Sequence, residues 1–227
     1  MVKRWKVIVE DQLNTLHECG LGNAASEYIV SYSGGKYSDF QEMADFYDLF
    51  PPEATTVVES FKKPWEVPAV NQIYHHCMAK EQQTTNQTDI VFYFHNKGAG
   101  KMPSQPGKTS QTYKNITHWR KYMEYFLLER PALCMEKLLN DSKTSCGINW
   151  KYNHYSGNMW AANCQYIRTL EPLNMSGHLN YVAAETWIGD DKKRPGRKPA
   201  ILHSTKMSLY KNTMLPSMYG DYDIRVI

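Results

Sequence analysis

Apolar positions along this chain fall into two rhythms that alternate. Short β-branched or aromatic runs stand at residues 5–10, 28–35, 55–60 and 89–95, each of strand length and each closed by polar or glycine residues. Between them the spacing changes to the helical one. Residues 12–19 and 38–49 read as helices, the second with Ser38 as N-cap and with Phe40, Met43, Ala44 and Tyr47 on one face. Residues 67–79 follow with Val67, Val70, Ile73, Tyr74, Cys77 and Met78 on a common stripe.

The run at 89–95 is continuous and apolar, as a central strand covered on both faces by helices requires. A polar stretch rich in Gly, Pro, Lys and Ser occupies 98–112 and is too long for an ordinary connection, which suits a loop that orders around a ligand. Helices resume at 113–128, with Ile116, Trp119, Met123 and Phe126 on one face, and at 131–139, with Pro131 in the first turn. Short strands at 147–152, 157–161 and 200–203 and helices at 163–170 and 179–187 complete the pattern. Alternation of this kind predicts an α/β fold with a central, mostly parallel mixed sheet flanked by helices, in one domain spanning 1–227.

Composition narrows the function. The 26 Lys and Arg against 23 Asp and Glu leave a net charge of +3, so no global field draws the chain to nucleic acid or anionic lipid. No run is long enough for a signal segment or a membrane span. Five cysteines without a C-x-x-C pair cannot all close within the chain, and the expectation is a reducing, cytoplasmic setting. In such a setting the four N-x-S/T sequons, at Asn86, Asn115, Asn140 and Asn174, are chance. Sixteen Tyr and 6 Trp, several among Asn, His and Gly, suit the faces and hydroxyls of sugars as well as an ordinary core.

Three constellations carry candidate chemistry. His95-Asn96-Lys97-Gly98 lies just beyond the 89–95 strand, where open α/β sheets bind ligands, and offers loop N–H groups and a lysine to phosphate. The run at 153–163 gathers His154, Ser156, Gly157 and Asn158 among aromatic rings, as the lining of a polar pocket or a bonded turn. Glu185, Asp190 and Asp191 surround Trp187 and supply an acceptor base, metal ligands, or an acidic helix end. A P-loop reading through Gly107-Lys108-Thr109 fails at Met102, where the first glycine belongs, and at Pro103 and Pro106, which lack N–H donors. Zinc spacing is lacking, and the basic run 192–198 reads as a solvated loop.

These pieces together resemble a known family. The strand ending in Phe94-His95-Asn96-Lys97-Gly98 resembles a Y-x-H-x-K-G signature, His118-Trp119-Arg120 with Met123 a W-R…M helix, Ser156 to Ala162 a G-N-x-W-W-A run, and Glu185 to Gly189 an E-x-W-I-G close. Their order and spacing are similar, over roughly residues 55–190, to virus-encoded glycosyltransferases of the GT-A type, such as the N-terminal domain of the chlorella-virus enzyme that builds glycans on the major capsid protein. The resemblance implies a GT-A, Rossmann-like fold, a nucleoside-diphosphate sugar donor (UDP-linked), a glycan or capsid glycoprotein acceptor, and a module of a longer polypeptide.

On that reading residues 1–112 hold the nucleotide and 113–227 the sugar and acceptor. Ser31, Tyr32, Ser33 and Gly34 lie near base or ribose, and His95, Lys97 and Gly98 near the diphosphate. Trp119, Arg120, Ser156, Gly157, Asn158 and Trp187 line the sugar side, with Glu185, His154 and Asp190 as catalytic candidates. GT-A enzymes follow the strand with Asp-x-Asp, where this chain has His95-Asn96-Lys97. Lys97 and loop amides then neutralise the leaving diphosphate, or Mn²⁺ or Mg²⁺ does so on Asp190 and Asp191, with Asp89 as a further oxygen source. An inverting enzyme needs a carboxylate base and a retaining one can use the departing phosphate oxygen, and both remain open. The alternatives are a non-catalytic carbohydrate-binding or assembly protein and a P-loop-like NTPase.

Overall fold

The first strand expected at 5–10 and the helix expected at 12–19 are one helix, α1 (Arg4–Glu18). Ile8, Gln12, Leu13 and Leu16 are its buried positions while Val7 is exposed, so the helical period runs through the β-branched run and overrides its local preference. The computed structural model describes residues 4–33, 50, 55–60, 66–80, 89–102, 110–174, 182–189 and 196–220. The helix expected at 38–49, the 103–109 part of the 98–112 loop including Gly107 to Thr109, and Gly34, Asp190 and Asp191 lie outside them.

A short α2 (Leu21–Ala24) leads to β1 (Tyr28–Ser33), which pairs in parallel with β2 (Thr55–Ser60), Tyr28 opposite Thr55. Helix α3 (Val67–Lys80) and β3 (Ile90–Tyr93) follow, both close to expectation. Beyond the loop comes α4 (Gln111–Glu124), whose N-cap Ser110 accepts a hydrogen bond from the Tyr113 amide at 3.1 Å. It widens into a π turn over Tyr125–Glu129 and stops at Arg130, because Pro131 disfavours helical backbone before it and starts the next helix, α5 (Pro131–Leu139).

The remaining strands are short: β4 (Ser145–Gly147), β5 (Trp150–Lys151), β6 (His154–Tyr155), β7 (Trp160–Asn163) and β8 (Pro199–Ile201). The expected strand at 147–152 is split at Asn149, and the one at 157–161 begins only at Trp160, since Gly157 and Asn158 both have positive φ. Tyr152 and Asn153, with φ of 48° and 65°, form the two-residue turn between β5 and β6, a backbone whose twist matches that of the strands it joins. Helix α6 (Cys164–Ile167) is shorter than its pattern suggested, and α7 (Val182–Trp187) matches the described part of its own.

Among the described residues the strands form three small sheets, with β3, β7, β4 and β8 side by side in that order. The β3–β7 and β7–β4 pairs are antiparallel and β4–β8 is parallel, so among the described residues β3 has one strand neighbour. It is nonetheless covered on both faces. Val91 and Tyr93, with Trp160 and Ala162 of β7, pack with α3, α6 and α7. Ile90 and Phe92, with Ala161, pack with α1, α4 and α5. The result is a mixed α/β arrangement with helices on either side of the four-stranded sheet.

Four of the five cysteines pair. Cys77–Cys164 ties α3 to α6 on one face of the sheet, and Cys134–Cys146 ties α5 to β4 on the other, while Cys19 stays a free thiol. No helix among the described residues is long and apolar enough to cross a membrane.

Candidate functional site

Strand β3 ends at Tyr93, and the next residues leave the sheet beside two segments distant in sequence. One is the turn that starts α3, where Glu66 stands. The other is the Gly157-Asn158 turn into β7. Glu66 Oε2 accepts from the Tyr93 hydroxyl at 3.2 Å and from the Asn158 side-chain amide, while its Oε1 lies 3.5 Å from His95 Nδ1. His95 Nε2 is 2.8 Å from the Gly157 carbonyl, and a carbonyl can only accept, so Nε2 carries the proton. Asn158 in turn accepts from the indole N–H of Trp160 at 3.1 Å. Glu66, Tyr93, His95, Asn158 and Trp160 are therefore one connected polar unit that holds three chain segments together.

Lys97 projects next to this unit. Its ammonium lies 4.3 Å from the centroid of the Trp119 ring. Burial pulls its pKa below the ordinary lysine value, and Glu185 and then Glu66 oppose that by attracting the charged form. Glu185 also bears on Tyr93, whose hydroxyl is pushed well up, first by burial and then by Glu66. Thus Glu185, the candidate base on α7, is electrostatically coupled to the end of β3.

Two glycines permit the close approach. Gly98 has φ +95°, and a Cβ there would stand 2.9 Å from the Ile116 side chain. At Gly157, also at φ +95°, a Cβ would stand 2.5 Å from Met123 Sδ and 3.0 Å from Trp119 Nε1. That indole nitrogen is buried without a hydrogen-bond partner. A buried unpartnered N–H carries an uncompensated desolvation cost.

The structure thus brings together His95, Lys97, Gly98, Trp119, Gly157, Asn158 and Glu185 from the sequence expectations. It sends others elsewhere. Trp187 is core: it packs on Trp160 and donates to the Glu171 carbonyl at 2.7 Å. Arg120 points into a buried charge cluster, its Nε 3.2 Å from Glu124 Oε1 and its Nη2 3.6 Å from Asp11, which also pairs with Lys121 at 2.6 Å. His154 sits in the β5–β6 hairpin with Nδ1 3.3 Å from the Tyr152 carbonyl, and Ser156 is fixed by its amide on the Asn149 carbonyl at 3.1 Å. Ser31 lies in β1 with a buried hydroxyl lacking a partner, and of Tyr32 and Ser33 only the strand backbone is described. Most aromatics of the 153–163 run are interior, with Tyr155 and Trp160 fully buried.

Glu66 and Tyr93 escaped the sequence reading, as did Gln12, which donates both to the His95 carbonyl at 3.1 Å and to Glu124 at 2.7 Å. For Glu66 the signal was its position immediately before a strongly patterned helix. Gln12 could have been noticed as the polar residue on the apolar stripe of α1. The closing glycine of the Glu185 to Gly189 motif also gains a reason, since a Cβ at Gly189 would run into the Asn153 carbonyl. Among the described residues no group of three or more His, Cys, Asp or Glu is arranged to hold a metal ion.

A family model described as a domain of unknown function, DUF8361, matches residues 2–199. The chain belongs to the DUF8361 family. The match takes in every residue of the site, from Glu66 at the start of α3 to Glu185 on α7. No curated protein and no solved structure matches the chain.

Proposed function

We propose that this chain is a glycosyltransferase that binds a nucleoside-diphosphate sugar, UDP-linked on the resemblance above, and transfers the sugar to a glycan or glycoprotein acceptor. One observation carries the reading: Lys97, desolvated over Trp119 and coupled to Glu185, stands beside a glycine turn and a buried unpartnered indole N–H. A cation, a free donor and a carboxylate within one electrostatic neighbourhood are what the departure of a diphosphate from an anomeric carbon demands.

Lys97 faces the diphosphate and balances the charge that develops as the anomeric C–O bond breaks and the nucleoside diphosphate leaves with the electron pair. Glu185 accepts the proton of the attacking acceptor hydroxyl. Glu66 touches neither. It holds His95 and the Gly157-Asn158 turn in place, which makes it a positioning residue. Asp190 and Asp191 remain the candidates for a Mn²⁺ or Mg²⁺ that would add to the charge on the diphosphate. A GT-A arrangement, with the parallel β1–β2 pair and the four-stranded sheet as parts of one nucleotide-binding layer, belongs to this proposal, as does a capsid glycoprotein acceptor.

A thermal-shift panel of nucleotide-sugars, each with EDTA and with Mn²⁺, tests the reading. A UDP-sugar should raise the melting temperature of the wild type and not of Lys97→Ala, and Glu185→Gln should keep the shift while losing transfer. Stabilisation by free glycan without any nucleotide would instead identify a carbohydrate-binding protein.

A further inference from the structure

We infer that this chain folds in an oxidising lumen and carries an N-linked glycan at Asn140. The disulfides are the first ground. All four paired cysteines are buried, at 0 to 2% exposure, and the bridges lie on opposite faces of the sheet. Each joins a helix to a different element, across sequence separations of 87 and 12. Structural bridges of this kind form and persist in oxidising compartments and are rare where thiols are kept reduced. Each closure removes two electrons and two protons from a pair of thiols, and the acceptor is the disulfide of a lumenal thiol oxidoreductase, which departs as a dithiol.

In such a compartment the sequons cease to be neutral text, and the fold discriminates among them. Asn115 is closed to modification: it is 2% exposed, its amide donates to the Tyr210 carbonyl at 2.9 Å, and its oxygen accepts from Gln111 and Thr213 at 2.8 Å each. Asn86 lies outside the described residues, and so does Ser176 of the Asn174 sequon. Asn140, Asp141 and Ser142 are all exposed. Asn140 is the C-cap of α5, and Ser142, at φ +52°, turns the chain away from the helix axis. The triplet also falls inside the short loop closed by Cys134–Cys146, so the second bridge holds the acceptor out in solvent.

The acceptor chemistry is amide glycosylation by a lipid-pyrophosphate-linked oligosaccharide. The Asn140 side-chain nitrogen forms a bond to the sugar C1 and gives up a proton, the C1–O bond breaks, and the lipid pyrophosphate leaves with the electron pair. None of these residues belongs to the site at the end of β3, so the inference stands or falls apart from the proposed transferase activity.

The test uses the full chain recovered from its own cells, treated with N-ethylmaleimide before lysis and then with peptide N-glycosidase in heavy-oxygen water. Peptide mass spectrometry should find Cys19 alone alkylated before reduction, with the other four cysteines reactive only afterwards, and a heavy-oxygen aspartate at position 140 that Ser142→Ala abolishes. Alkylation of all five cysteines in unreduced chain would overturn the lumenal assignment. An unlabelled Asn140, or a label at Asn115 in its stead, would overturn the site.

Discussion

Glu66 Oε1 and His95 Nδ1 face each other at 3.5 Å, joining the turn before α3 to the residue that leaves β3. The same carboxylate receives Tyr93 and Asn158, so one side chain fixes the geometry of three segments. Glu66→Ala leaves these partly buried donors without an acceptor, and a loss of about 2–4 kcal/mol in urea unfolding is expected. Glu66→Gln, which keeps an acceptor oxygen for one of them, should cost less.

On the proposed function Lys97 holds a diphosphate only while charged, and its lowered pKa places the loss of that charge below the ordinary lysine value of 10.5. Donor affinity should therefore fall with rising pH before an exposed lysine would lose its proton. In Lys97→Arg the decline should vanish from the accessible range, because guanidinium stays protonated. Titration calorimetry at stepped pH reads both.

Gly157→Ala combines a left-handed backbone with a Cβ driven into Met123 and Trp119. The expected cost is about 2–4 kcal/mol, from backbone strain and overpacking together. Thermal melting of the purified variant measures it, as a drop of several degrees.

Arg120 was a candidate for the sugar side, and its burial against Glu124 makes it structural instead. Arg120→Met should destabilise by about 3 kcal/mol, because a buried carboxylate loses one of its cations. Donor affinity, measured by calorimetry on the folded fraction, should change far less than in Lys97→Ala.

His203 meets the Tyr122 hydroxyl through Nδ1, and burial lowers its pKa from the usual 6.5. Between the folded and unfolded pKa values the unfolded chain binds more protons, so this group makes stability decline as pH falls below about 6.5. Urea midpoints collected down to pH 4 should show a smaller acid decline in His203→Gln.

Much of this fold is legible in the sequence where local patterning and burial agree. Residues 55–60, the α3 stripe and the proline start of α5 fall where they were expected, since hydrophobic period and end signals there point the same way. At residues 5–10 they conflict: β-branched side chains favour a strand, but Ile8, Gln12, Leu13 and Leu16 share a buried helical face. The site was half legible. Lys97, Gly98 and Gly157 announce themselves by residue type, whereas an ordinary glutamate before a helix does not.

By itself the sequence determined the α/β alternation, the strand that ends at the site, and the cationic glycine loop beyond it, because periodicity and turn chemistry are local properties of a chain. Only the tertiary structure decided that Glu66 closes on His95 and Asn158, that Arg120 turns inward, and that Cys77 finds Cys164 and Cys134 finds Cys146. Those are meetings between segments tens of residues apart, except for the short Cys134–Cys146 loop and the Arg120–Glu124 pair within α4. They are fixed by how helices pack on the two faces of a sheet, which no local pattern encodes.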